Sequence, residues 1–193
     1  MLAGSPRLRR LAYTAAGHHI RATGRPLPQF SPLEAAAALS QHAPRLRELS
    51  LCFASAHRAA HPPAGLLGPA TGGTLVTLAK LRVLTLDLRC VLPNLDAHCA
   101  LEEAAPTPRA ALLVHVLPRS IEALTLVWDG EGRIDLAPLE RPLTKLVRDA
   151  PLTFRRLREV TVQTGGENGR KPWPNSWVLE EWFQQRGIAF KLV

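Results

Sequence analysis

A six-residue pattern, apolar at its first, fourth and sixth positions, recurs along the chain and limits the folds open to it. The clear copies are Leu46-Arg47-Glu48-Leu49-Ser50-Leu51, Leu81-Arg82-Val83-Leu84-Thr85-Leu86, Ile121-Glu122-Ala123-Leu124-Thr125-Leu126 and Leu157-Arg158-Glu159-Val160-Thr161-Val162. Their starts lie 35, 40 and 36 residues apart, and a weaker copy, Leu8-Arg9-Arg10-Leu11-Ala12-Tyr13, begins 38 residues before the first. Ile188-Ala189-Phe190-Lys191-Leu192 closes the chain with one more alternating run. Intervals of this length hold one short strand and one returning helix or loop, which is how stacked-repeat proteins are built.

Within each copy the last three positions alternate, so Leu84 and Leu86 share one face of a strand and Thr85 takes the other. Strands that repeat in one direction need a crossover of a dozen or more residues, and the right-handed crossover is strongly favoured. The expected fold is therefore α/β: a right-handed solenoid with a short-stranded parallel sheet and helices or loops on its convex side. Each buried Leu contributes about 1.5–3 kcal/mol, so the stacked Leu columns are the expected source of stability.

This pattern resembles a leucine-rich repeat, and in particular the long irregular repeats that follow F-box domains in filamentous fungi. Leu117-Pro118-Arg119-Ser120-Ile121-Glu122-Ala123-Leu124-Thr125-Leu126, with Trp128 after it, is the most similar segment, and the likeness runs over residues 31–193. The resemblance implies a repeat domain that recruits substrates to a ubiquitin ligase inside the cell. The amino-terminal segment is too short and too polar for an F-box helical bundle. A carboxy-terminal fragment, a truncated relative and a free-standing scaffold all fit.

The 46% hydrophobic content suits a globular domain. No run approaches the roughly 18 uninterrupted apolar residues of a membrane span. Cys52, Cys90 and Cys99 are too few and too irregular for a disulfide framework, so a reducing compartment, cytoplasmic or nuclear, is expected. Five of the net +8 charges, on Arg7, Arg9, Arg10, Arg21 and Arg25, sit in the first 33 residues, which hold no Asp or Glu. Residues 1–30 thus read as a basic segment that forms a first irregular repeat, with a mitochondrial transit helix as the alternative. The same charge suggests a second function, nucleic-acid binding through the Arg-rich amino terminus.

Helices are expected from the Ser31-Pro32-Leu33-Glu34 capping box to about His42, over Thr74 to Lys80, and from Pro108 to about Leu117 behind Thr107. Further helices are expected from Pro142 to Asp149, from Pro151 to Arg155, and from Ser176 to Arg186 with Gly187 closing the last. Trp177, Val178, Leu179, Trp182 and Phe183 form an apolar side suited to covering the end of the stack. Residues 23–28, 54–73, 129–133 and 165–172 read as loops or turns, and in 87–105 Leu92-Pro93-Asn94-Leu95 reads as either a turn or the edge of another element.

No enzyme is indicated. The chain has no Gly-x-Ser-x-Gly elbow, and Glu102-Glu103 and Glu180-Glu181 are adjacent pairs that point apart on a helix. His57 and His61 with Cys52, like His18-His19 and the group Cys90, His98 and Cys99, do not make a four-ligand zinc set. Arg133 spoils the calcium-like loop starting at Asp129, and the glycines at 165, 166 and 169 do not make a phosphate loop. No cofactor or metal is expected. One constellation stands out: Ser50, Thr85, Thr125 and Thr161 fall in one outward column, Cys52, Asp87, Val127 and Gln163 in the next, and Arg47, Arg82 and Arg158 in a row interrupted by Glu122. These columns face the concave side, the surface that repeat proteins commonly use for protein partners.

Overall fold

The computed structural model describes residues 7–15, 38, 39, 41, 43–53, 74–88, 112–128, 136–164, 173 and 176–193. Six strands form one sheet: β1 Arg10–Ala15, β2 Glu48–Phe53, β3 Val83–Asp87, β4 Ala123–Trp128, β5 Glu159–Thr164 and β6 Ala189–Leu192. Every neighbouring pair is parallel and the spatial order is β1-β2-β3-β4-β5-β6, identical to the order in sequence. The protein is thus α/β with an all-parallel sheet, and each six-residue pattern supplies one strand. The weak copy is included, for β1 pairs with β2 along its whole length.

Burial follows the alternation. In β4 and β5 buried residues occupy every second position, so Leu124, Leu126, Val160 and Val162 turn into the core while Thr125 and Thr161 do not. The register aligns Leu49, Leu84, Leu124 and Val160 in one column and Leu51, Leu86, Leu126 and Val162 in the next. The anchor residues Leu46, Leu81, Ile121 and Leu157 are also buried, and a tight turn closes in front of each. In those turns Leu46 N–H donates to the Ala43 carbonyl, Leu81 to Leu78, Ile121 to Pro118 and Leu157 to Phe154, at 2.9–3.1 Å.

The connectors supply the second layer. A 3-10 turn at Thr74–Thr77, α1 at Leu112–Val116, α2 at Ala137–Thr153 and α3 at Ser176–Gln185 pack against one another in chain order. Leu75, Leu78, Leu113, Val116, Leu139, Leu143 and Leu179 join the strand columns in one continuous apolar cluster. Ala38, Leu39 and Gln41 are helical, in the place expected for the first helix.

Two expectations are corrected. The segments from Pro142 and from Pro151 form the single helix α2, which starts at Ala137 and contains both prolines. Each interior proline removes a backbone bond and costs about 3 kcal/mol. Leu139, Leu143, Leu146, Val147 and Ala150, all on one face and nearly inaccessible, offset this at about 1.5–3 kcal/mol for each large side chain. The second correction concerns α3, where Leu179 and Phe183, four residues apart, are buried but Trp177 and Trp182 are 65% and 41% exposed. Trp177 lies nearly opposite Leu179 around the helix and cannot reach the sheet. Its expected place is taken by Trp173, which is buried and meets Phe190 edge-on, while Phe183 stacks on Phe190 at 5.1 Å. Gly187, at φ +70°, ends α3 as expected and turns the chain into β6.

The capping box at Ser31, the loops beginning at Asp129 and Gly165, and His18, His19, Arg21, Arg25, His57, His61, Cys90, His98 and Cys99 lie outside the described residues. No helix among the described residues is long and apolar enough to cross a membrane.

Candidate interaction surface

The side of the sheet away from the apolar cluster carries the residues singled out in the sequence. Ser50 is in register with Thr85, Thr85 with Thr125, and Thr125 with Thr161, so the four form one unbroken file across β2 to β5. All four are half-buried. Their branched or short side chains fit a pleated surface and offer hydroxyls to either a donor or an acceptor. The Thr161 hydroxyl donates to Glu159 Oε1 at 3.3 Å, and Ser50 Oγ lies 3.7 Å from the Cys52 thiol. Ala12 extends the file at one end and Lys191 at the other.

The second column is only partly as expected. Asp87, Val127 and Gln163 are in register, but Cys52 pairs with Thr14 and the ladder between β2 and β3 ends at Leu51 and Leu86. Asp87 is also not available to a partner, because it is 1% exposed and engaged within the fold. A carboxylate removed from water needs such internal bonds, so Asp87 belongs to the scaffold. Cys52 and Val127 remain half-buried and Gln163 exposed.

The Arg row is a backbone feature as much as a side-chain one. The Arg9 carbonyl accepts from the N–H groups of Arg47 and Glu48, and the carbonyls of Arg47, Arg82 and Glu122 each accept from two amides of the following repeat at 2.7–3.2 Å. This staircase fixes Arg47, Arg82, Glu122 and Arg158 side by side at the start of their strands. The interruption at Glu122 is an ion pair, with Arg82 Nη1 3.4 Å from Glu122 Oε1. Arg47 and Arg158 are exposed.

A further row was missed in the sequence: Arg10, Glu48, Val83, Ala123, Glu159 and Ala189, aligned two residues before the hydroxyl file. Period-two alternation was enough to find it, since these positions share the face of Thr85. Val83 is 38% exposed with Ala123 beside it, and this apolar centre is flanked by the ion pairs Arg10–Glu48 and Lys191–Glu159, both at 2.9 Å. The hydrogen bond from Lys191 holds the Glu159 carboxyl below the usual carboxylate range, outweighing the opposing effect of burial with further help from the Lys191 charge and the Thr161 hydroxyl. The face therefore has a small apolar and hydroxyl-bearing centre inside a rim of paired charges.

Among the described residues no three His, Cys, Asp or Glu side chains gather to hold a metal ion. Compared with known proteins, the chain matches no family model, no curated protein and no solved structure.

Proposed function

We propose that this protein is a right-handed leucine-rich-repeat-like solenoid that recognises another protein through the open face of its sheet and catalyses no reaction. The observation that carries the reading is the in-register file Ser50, Thr85, Thr125 and Thr161 on a partly exposed face of an all-parallel sheet. Parallel sheets whose two faces are both covered read as continuous apolar runs, whereas these strands alternate, as solenoid strands do. A centre of Val83, Ala123, Thr85 and Thr125 inside paired charges is also the usual layout of a protein interface, apolar within and polar at the rim. A scaffold or substrate-recruiting role follows from the F-box-type resemblance of the repeats.

The test is affinity purification from cell extract with mass spectrometry, comparing the native chain with a folded Thr85→Arg, Thr125→Arg double variant. Two adjacent guanidinium groups fill the centre of the face and repel each other. Partners are expected to be lost from the variant, with a ligase adaptor among them if the role is substrate recruitment. An unchanged set of partners would refute the reading.

A further inference from the structure

Each of the four tight turns that precede β2 to β5 carries at least one cation at its tip: Arg45, Lys80, Arg119, and both Arg155 and Arg156. The flanks of every turn are buried, namely Ala43 and Leu46, Leu78 and Leu81, Pro118 and Ile121, Phe154 and Leu157. All five cations are exposed, whereas Ser120, the other tip residue of the third turn, is half-buried. The turns are stacked like the strands: the Ser120 hydroxyl donates to the Leu81 carbonyl at 2.6 Å, tying one turn to the previous one. Stacked turns repeat at about the strand spacing of 4.8 Å, so the tips form a basic file along one edge of the sheet, staggered by one residue at Arg119. Among the described residues none of these five has an ion-pair partner, whereas the nearby carboxylates Glu48, Glu122 and Glu159 are already paired.

We infer that this file of turn cations docks an extended acidic segment of the protein partner, running across the strands beside the open face. The inference rests on the protein-binding reading above and names the chemistry of its partner. From Arg45 to Arg156 the file spans three strand intervals, about 14 Å, which four or five extended residues cover. Charge complementarity over that length favours carboxylates, and isolated like charges beside the file would be repelled. A nucleic-acid strand fits less well. Base stacking needs exposed aromatic rings next to the basic track. The exposed tryptophans, Trp177 and Trp182, are on α3 and not among the turns.

The test is fluorescence anisotropy of the full chain with a short labelled peptide of alternating Glu and Ser, in parallel with an oligothymidylate and an oligouridylate of equal charge. Lys80→Glu with Arg119→Glu reverses two adjacent tips, and Arg141→Glu with Arg148→Glu reverses two exposed cations of α2 as a control of equal charge. Peptide affinity is expected to fall about tenfold in the tip variant and to change little in the control. Lys80→Gln with Arg119→Gln, whose folding is checked by circular dichroism, is expected to show a smaller loss in the same direction. Tighter binding of either oligonucleotide, equal losses in both reversals, or no peptide binding at low salt would overturn the inference. Peptide binding with the expected losses, alongside unchanged partners in the Thr85→Arg, Thr125→Arg variant, would support the basic file and refute the open face. The converse pattern would do the reverse.

Discussion

Leu124→Ala is the substitution with the clearest expected effect. Leu124 is inaccessible and lies mid-column, between Leu84 of β3 and Val160 of β5. Removing three carbons at about 0.8 kcal/mol each forfeits roughly 2.4 kcal/mol of burial. The column cannot close the gap, because the backbone ladders on both sides fix the strand spacing, so a cavity term brings the total to about 3–4 kcal/mol. For a chain of this length each kcal/mol lowers Tm by about 2–4 °C, giving a fall of about 6–16 °C. Thr125→Ala, one residue away on the open face, is expected to change stability by no more than about 0.5 kcal/mol. Urea denaturation followed by tryptophan fluorescence, with thermal melts by circular dichroism, measures both. A loss below about 1 kcal/mol at Leu124, or an equal loss at Thr125, would refute the assignment of the two faces.

Gly187→Ala is expected to cost about 1–2 kcal/mol from its left-handed backbone alone, since a Cβ there meets nothing within 4 Å; an unchanged urea midpoint would contradict this. Ser120→Ala removes the bond to the Leu81 carbonyl and is expected to cost about 1 kcal/mol in the same assay. The Glu159 carboxyl is expected to titrate below an ordinary glutamate in carbon-detected NMR and to move back up in Lys191→Met; an unmoved midpoint would remove Lys191 as the cause. Because that carboxyl is lowered on folding, its small stabilising effect is present above the ordinary Glu range and disappears as pH falls through its folded midpoint.

Strand positions were legible because one local signal, apolar residues at fixed intervals, also determines burial. Leu49, Leu84, Leu124 and Val160 were placed correctly, and so was the hydroxyl file, since the register follows once each strand begins at the same point of the repeat. Asp87 sits at an outward position by alternation and is nonetheless buried, an outcome set by surroundings that the pattern does not encode. The prolines of α2 signalled breaks, but the burial of Leu143 and Leu146 across the sheet outweighed local propensity. Trp177 was grouped by hydrophobicity although its angle around the helix turns it away from Leu179, and Trp182, three residues after Leu179, stands at the half-exposed margin of the buried face. The cations at the turn tips precede each anchor, where neither the apolar interval nor the strand alternation carries a signal, and only the stacking of the turns brings them together.

Sequential stacking of the strands underlies both the open face and the basic edge, and it is most directly measured as a distance. Spin labels at Ala12→Cys and Thr161→Cys, with Cys52, Cys90 and Cys99 replaced by Ser, mark the same file on β1 and β5. Four intervals of about 4.8 Å place the two backbones about 19 Å apart. Double electron–electron resonance should then give a single distribution centred near that distance, broadened by the label arms. A contact-range separation, as when β1 lies beside β5, or a distance beyond about 30 Å would contradict the stack and both surfaces derived from it.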